Sequence, residues 1–214
     1  SFKLEHLSAA NGLAHAQAHD ALSDVRATIA LAALIRNRQP RLWNFCLALR
    51  QKQAVLTEIG SDRPFIHVSA MYGAERGGMA VVWPLAQHPT NRNELIVWDL
   101  IHDPAELADL DTEQIRLRLF SKTEDLPEGM TRLPIRSLAI NKSPIVIGNL
   151  KVLTPAVIER WRIDMETIAR HTETARRLTP QLASRMDEVY QRPRPRGPAP
   201  DVDGDLYGGF IGND

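Results

Sequence analysis

The chain has 214 residues, of which 43% are hydrophobic, and its 26 basic residues are balanced by 26 acidic ones. These values predict one large or two small domains with a packed core, and they exclude a uniformly basic nucleic-acid-binding protein. No apolar run approaches the length of a membrane span, so we expect no membrane partner. The single cysteine, Cys46, excludes an internal disulfide and is compatible with a cytoplasmic location.

The charges are unevenly distributed along the chain. Residues 1–60 carry seven Lys and Arg against four Asp and Glu, residues 61–150 carry nine against twelve, and residues 151–214 carry ten of each. Any contact with nucleic acid is therefore expected in a local groove rather than through the field of the whole molecule.

Two helices are predicted near the start. The first runs from Lys3 to Ala10 and stops at Asn11–Gly12, a typical C-terminal signal. The second runs from Asp20 to Arg38 without Gly or Pro, and Gln39–Pro40 ends it. Apolar residues recur in it at helical spacing and predict a core-facing stripe at Leu22, Val25, Ile29 and Ala32.

Asp24 lies on a second stripe of this helix that also looks core-facing. An unpaired buried carboxylate is very costly, so Asp24 is expected to have a partner: an arginine, a set of backbone amides or a divalent metal ion. His19 and Asp20 stand at the helix start, where an acid is favoured. The spacing from His19 to Asp24 is common by chance. On spacing alone, the simplest interpretation is that His19 and Asp20 cap the helix and that Asp24 meets an arginine.

The middle of the chain combines helices and strands. One helix is predicted from Pro40 to Ile59 and is interpreted as a bridge between two domains. Alternating apolar patterns then predict strands at 64–72, 79–85, 94–100, 133–140 and 145–147. A helix in two pieces over 104–120 carries a capping box formed by Asp111 and Gln114. These elements predict a mixed α+β fold with a small barrel and a helical insertion.

The last part of the chain is predicted to be helical and then extended. Thr154–Pro155 marks a helix start, and helices follow to about Leu178 and from Pro180 to Tyr190. Residues 192–200 are rich in Pro and Arg, and we interpret them as a linker rather than as a basic recognition arm.

The stretch Ala-His-Asp-Ala-Leu-Ser-Asp-Val-Arg-Ala-Thr at 18–28 resembles the last motif of the DEDD exonucleases that carry a histidine, and specifically that of bacterial exonuclease I. Further motifs resemble this family in the family's order: Arg-Gln-Pro-Arg-Leu at 38–42, His-Val-Ser at 67–69, His-Pro-Thr-Asn-Arg-Asn at 88–93, Ile-Asn-Lys at 140–142 and Leu-Tyr-Gly-Gly-Phe at 206–210. The first motif is shared by many DEDD exonucleases, whereas the later ones are more specific. The resemblance covers essentially the whole chain.

The resemblance implies a metal-dependent nuclease. In DEDD exonucleases four carboxylates hold two divalent ions, Mg²⁺ or Mn²⁺, at the scissile phosphate. By resemblance, Asp24 is the last of these metal ligands, and His19 is the catalytic base or orients the attacking water. The family's Asp-x-Glu strand is not recognised, since Asp111-Thr112-Glu113 lies at a helix start after the barrel. We therefore expect an incomplete metal site, and a fragment that is inactive alone.

The predicted barrel offers contacts for single-stranded DNA. The candidate DNA-binding cations are Arg76, Arg92 and Lys142. Three aromatic residues in the strands are candidates for base stacking or, alternatively, for the core: Tyr72, Trp83 and Trp98. Two histidines there, His67 and His88, lack metal-like companions and are interpreted as structural.

The family also works with single-stranded-DNA-binding protein, whose tail is acidic and ends in a carboxylate. A basic residue beside apolar ones suits such a peptide. The candidate residues for this partner are Arg41, Phe45 and Arg63.

The resemblance implies three regions. Residues 1–39 are expected to be the C-terminal helices of a ribonuclease H-like exonuclease domain, residues 40–190 an SH3-like β-barrel domain with linking helices, and residues 191–214 a linker towards a further helical domain. Both ends look like cuts in a longer polypeptide. The main hypothesis is therefore a fragment of a 3′→5′ single-stranded DNA exonuclease of DNA repair and recombination. The alternatives are a non-catalytic DNA- or protein-binding module with a structural His/Asp helix cap, and a nuclease that acts on RNA.

Overall fold

The computed structural model describes residues 3–14 and 20–191. The α-helices in these residues are α1 (Leu4–Ala10), α2 (Ala21–Arg38), α3 (Pro40–Ala48), α4 (Lys52–Ile59), α5 (Thr112–Phe120), α6 (Pro155–Trp161) and α7 (Met165–Gln191). The strands are β1 (Phe65–Val68), β2 (Met79–Gln87), β3 (Glu94–Asp99), β4 (Ile135–Ala139) and β5 (Ile145–Ile147). Short 3₁₀ helices lie at Ala70–Tyr72, Ala74–Arg76, Pro104–Ala108, Thr123–Asp125 and Leu150–Val152. The predicted mixed α+β fold is confirmed.

The strands form one antiparallel sheet in the order β4-β3-β2-β1-β5. Six Cα steps join the last residue of β4, Ala139, to the first of β5, Ile145, and they reach at most about 22 Å. In a flat sheet, β4 and β5 would be about 19 Å apart sideways. Their facing ends would also be displaced along the strands, because Ala139 pairs with Glu94 whereas Ile145 pairs with Val68. The connection is too short for that separation, so the sheet curls into a half-barrel.

Both faces of the sheet are covered. One face packs with α5 and α7 into a core whose sheet residues include Ile66, Val81, Trp83, Ile96 and Trp98. The other face packs with the α3–α4 segment, and the buried residues there include Leu49, Val55, Phe65, Val82 and Val97. Adjacent residues such as Val82 and Trp83 therefore belong to different cores, as the period of two along a strand requires.

The predicted helix over Pro40–Ile59 is wrong in one respect, because it breaks between α3 and α4. Gln51 has an extended backbone there, although the sequence places neither Gly nor Pro at the break. Leu49, before the break, and Val55 and Ile59, after it, are all buried in the same core. Burial in the tertiary structure thus overrides the helical periodicity of the segment.

The predicted break at Pro180 is also wrong, because α7 continues through it. Proline has no N–H to donate to the preceding turn, which normally ends or kinks a helix. Ala175 lies before Pro180 and Leu182 and Met186 lie after it, and all three are buried in the core beneath the sheet. Burial on both sides of Pro180 stabilises α7 as one continuous helix. None of the described helices is long and apolar enough to span a lipid bilayer.

Candidate functional site

The His/Asp motif lies at the start of α2. Asp20 is the N-cap, and its Oδ2 accepts a hydrogen bond from the backbone N–H of Ser23 at 2.9 Å. Asp24 follows in the first turn and is half-buried. His19 lies outside the described residues. The structure therefore confirms the capping role of Asp20 and leaves the roles of Asp24 and His19 as predictions.

The apolar stripe of α2 was predicted to face a core, and this is wrong for the described residues. Leu22, Val25 and Ile29 are 54–63% exposed, and Ala27 is the buried residue of this helix. The helix packs mainly on its neighbours α1 and α3, away from the sheet. Within the described part of the chain, no other residues cover this apolar stripe.

The carboxylates of the described residues do not form a metal centre by themselves. Across residues 3–14 and 20–191, no three His, Cys, Asp or Glu side chains are grouped so that they could hold a metal ion. Asp111 is the N-cap of α5 and forms a capping box with Gln114, as predicted. A second Asp-x-Glu, not recognised from the sequence, lies at 164–166. Its Asp164 accepts hydrogen bonds from the backbone N–H and hydroxyl of Thr167. Both acids cap helices.

The structure brings together two of the three predicted DNA-binding cations. Arg92 lies in the β2–β3 loop and Lys142 in the β4–β5 connection, and both are exposed. The two segments are joined by the backbone N–H of Ile140, which donates to the carbonyl of Asn93 at 2.9 Å. The third cation, Arg76, precedes β2 at the opposite end of the β2–β3 hairpin.

Arg76 is engaged inside the fold. Its two terminal nitrogens donate to the two carboxylate oxygens of Asp99, which is buried. This hydrogen bonding raises the pKa of Arg76 above its ordinary value. The guanidinium also lies over the ring of Tyr72, 5.5 Å from its centroid. A phosphate would have to compete with these partners.

Of the three predicted partner-binding residues, two lie together on one helix and the third is engaged in hydrogen bonds within the fold. Arg41 and Phe45 are four residues apart on α3, so they share one face of that helix, with Arg41 exposed and Phe45 half-buried. Arg63 instead donates to the last carbonyls of α4, including that of Thr57 at 3.0 Å and that of Glu58 at 3.1 Å. Arg63 therefore caps α4.

The aromatic residues considered for base stacking lie in the core. Trp83 and Trp98 are 0% exposed and Tyr72 is 5% exposed, so the stacking interpretation is wrong and the core alternative is confirmed. The indole N–H of Trp83 donates to the Thr179 hydroxyl at 2.7 Å, and that of Trp98 donates to the His102 carbonyl at 2.9 Å. No base can reach these rings without unfolding the sheet.

The two histidines are structural, as predicted. Nδ1 of His67 lies 2.9 Å from the Tyr72 hydroxyl, and burial lowers the pKa of His67 to about 4. His67 is therefore neutral at pH 7. His88 orders the β2–β3 loop, because its Nδ1 accepts from the backbone N–H groups of Thr90 and Asn91.

Comparison with known proteins places these features in a family. A family model described as the exonuclease I SH3-like domain matches residues 50–192. Exodeoxyribonuclease I of Escherichia coli strain K12 is 38% identical over 213 residues, which cover 99% of this chain and 44% of that protein. Among solved structures, E. coli exonuclease I in complex with a dA16 oligonucleotide has a TM-score of 0.87 at 37% identity. The match covers 100% of this chain and 45% of the chain in that structure. The zinc-bound complex of the same enzyme with single-stranded DNA has a TM-score of 0.86 at 37% identity, with the same coverage. The chain thus spans less than half the length of the relatives it matches.

Proposed function

This chain belongs to the exonuclease I family, and we propose that the intact protein hydrolyses single-stranded DNA from its 3′ end, in repair and recombination. The observation that carries the proposal is the agreement in sequence and fold, over the whole chain, with an enzyme whose solved structures hold single-stranded DNA. In this proposal residues 1–39 belong to the exonuclease domain, residues 40–190 are the SH3-like domain with its linking helices, and residues 191–214 lead to a further helical domain.

The proposed catalytic residues are His19 and Asp24. The carboxylate of Asp24 is a hard oxygen donor of the kind that Mg²⁺ and Mn²⁺ take, and the metal would polarise the phosphate and supply a nucleophilic oxygen. Because the described residues hold no cluster of metal ligands, Asp24 would act with acids from elsewhere in the intact protein. His19 would move a proton or orient the attacking water. The exposed apolar stripe of α2, the helix that also carries Asp24, fits a helix that is completed by more of an exonuclease domain.

The proposed contacts with DNA are made to phosphates. Arg92 and Lys142 are exposed cations on neighbouring segments, which suits binding to a strand backbone. Arg76 would contribute only by giving up a hydrogen bond to Asp99. We do not propose RNA as the substrate, because the solved complexes of the relatives contain DNA.

The proposed protein partner is the acidic tail of single-stranded-DNA-binding protein, in the cytoplasm. Arg41 beside Phe45 offers a charge next to an apolar side chain, which suits a carboxylate-terminated apolar peptide. Arg63 is less available to bind a peptide, because its guanidinium already donates to carbonyls of α4. Charge reversal at Arg41 in the intact protein is expected to weaken binding of the tail peptide more than charge reversal at Arg63.

The nuclease assignment is tested in the intact polypeptide with Asp24→Asn and His19→Ala. Asp24→Asn removes a metal ligand, so it is expected to weaken Mn²⁺ binding in calorimetric titration and to slow single-turnover digestion of a 3′-labelled strand. His19→Ala is expected to slow digestion by about 10² to 10⁴ while metal binding stays nearly intact. Equal loss of metal binding in both variants would contradict these roles. An intact protein that binds DNA without degrading it would establish the non-catalytic module instead.

A further inference from the structure

Asp24, the proposed metal ligand, lies in the first turn of α2, and Asp20 sets how that turn begins. Asp20 has an extended backbone, with φ −85° and ψ 123°, and the helix starts at the next residue, Ala21. Its carboxylate Oδ2 accepts a hydrogen bond from the backbone N–H of Ser23 at 2.9 Å. Its carbonyl accepts from the backbone N–H of Asp24, also at 2.9 Å. Asp20 therefore bonds to two consecutive residues of the first turn, and the second of them is the proposed ligand.

Apolar packing gives this first turn little support within the described part of the chain. Leu22 and Val25 are 56% and 54% exposed, and the buried residue of α2, Ala27, lies beyond Asp24. The first N–H groups of an α-helix have no partner within the helix, so a first turn without a cap opens readily. The cap at Asp20 therefore restrains the backbone of a turn that packing leaves exposed.

The carbonyl of Asp24 is bonded on the other side, by a residue one turn further along α2. The hydroxyl of Thr28 donates to it at 2.8 Å. Threonine hydroxyls bond in this way to the carbonyl four residues back once a helix has formed, so the contact follows from the helix. The contact of Asp20 differs, because the N-cap decides where the helix begins. Asp20 is therefore the residue that controls whether Asp24 stands on helical backbone.

We propose that Asp20 is a positioning residue, which by capping α2 holds the Asp24 carboxylate where the intact protein binds its divalent ions. Groups that orient a metal ligand without touching the metal change metal affinity or activity by about 10- to 100-fold when they are removed. A neutral cap would serve as well, because asparagine and aspartate are about equally good N-caps. The inference deepens the proposed function, and it rests on the proposed role of Asp24 as a metal ligand.

The first test needs no metal and uses the chain itself. Hydrogen exchange followed by NMR reports how often each backbone N–H opens to solvent. In Asp20→Ala the amides of Ser23 and Asp24 are expected to exchange about fivefold faster than in the native chain, because the cap is lost. The amides of Leu31 and Ile35, further along the same helix, are expected to keep their rates. Asp20→Asn is expected to restore slow exchange, and native rates in Asp20→Ala would overturn the inference.

The second test is calorimetric titration of the intact polypeptide with Mn²⁺. Asp20→Ala is expected to weaken Mn²⁺ binding by about tenfold, and Asp20→Asn is expected to keep the native affinity. Asp111→Ala is the matched control, because Asp111 caps α5 by the same kind of bond, from the backbone N–H of Gln114 at 2.8 Å. Urea midpoints check that both alanine variants are folded and lose a similar amount of stability. A general loss of helix stability would affect the two alike, whereas a positioning role lowers the Mn²⁺ affinity in Asp20→Ala alone.

The outcomes separate the positioning role from the function on which it rests. If Asp20→Ala binds Mn²⁺ as well as Asp111→Ala does while Asp24→Asn binds it weakly, the inference is overturned and the metal-ligand role of Asp24 stands. If Asp20→Asn loses Mn²⁺ affinity as severely as Asp20→Ala, the charge of Asp20 matters rather than its cap, and the positioning role is overturned. If Asp24→Asn keeps the native affinity, Asp24 is not a ligand, and the proposed role and the inference fail together.

Discussion

Arg76 and Asp99 join the segment before β2 to the last residue of β3, with Nη1 2.5 Å from Oδ2 and Nη2 3.0 Å from Oδ1. The Asp99 side chain is 8% exposed and also accepts from the backbone N–H of Ile101. The pair therefore closes one end of the β2–β3 hairpin, and the arginine that charge alone suggests for DNA is held within the protein.

Arg76→Ala is expected to destabilise the chain by about 3 kcal/mol, because it leaves the Asp99 carboxylate buried and unpaired. Urea unfolding measures this loss. The double variant Arg76→Ala/Asp99→Asn removes the unpaired buried charge and should recover part of the lost stability. Unchanged stability together with weaker DNA binding would instead support the role of Arg76 predicted from sequence.

Gly77→Ala is expected to be clearly more destabilising than Gly129→Ala. Both glycines have positive φ, +64° and +80°, so both substitutions carry backbone strain of about 1–2 kcal/mol. A Cβ on Gly77 would also lie 2.7 Å from the indole of Trp161, whereas one on Gly129 would meet open space. Differential scanning calorimetry of the two variants measures the difference, and equal melting temperatures would show that α6 does not pack closely on Gly77.

Trp83→Phe is expected to lower stability by about 1–3 kcal/mol through lost core volume and a lost hydrogen bond. Single-stranded DNA affinity should stay unchanged, since the ring is fully buried. Thr179→Val is the matched variant, because it removes the acceptor of the indole N–H and keeps Trp83 in place. Loss of DNA affinity in Trp83→Phe at unchanged stability would restore the stacking interpretation.

Stability is expected to fall as pH is lowered from about 6.5 to about 4, in part through His67. The unfolded histidine takes up a proton near its ordinary pKa of 6.5, whereas burial keeps the folded pKa near 4. Between these values the unfolded state binds more protons, so stability rises with pH and is fully present above 6.5. The shift corresponds to up to about 3 kcal/mol. Urea midpoints against pH should flatten in His67→Gln relative to the native chain, and identical profiles would exclude this contribution.

The sequence predicts helix starts well, because the signals are local. Asp20, Asp111 and Thr154 each bond to a backbone N–H three residues ahead, and each was recognised from its own few neighbours. Helix continuity is less predictable. The break at Gln51 and the passage of α7 through Pro180 both depend on which side chains reach a core built from distant segments.

The role of each arginine could not be predicted from sequence. Arg116 donates to the carbonyl of Val189, and Arg185 donates to those of Leu107 and Leu110, across more than seventy positions of the chain. A basic residue in a pattern of charges does not reveal such partners.

The amino-acid sequence alone determined the family resemblance, the mixed α+β class and the caps of its helices, since motifs, alternation and caps are properties of neighbouring residues. Only the tertiary structure decided which side chains remain available for ligands. Burial removed Trp83 and Trp98 from the possible DNA contacts, and the bond to Asp99 engaged Arg76. The physical reason is that burial and hydrogen-bond partners are set by segments that meet only when the chain folds.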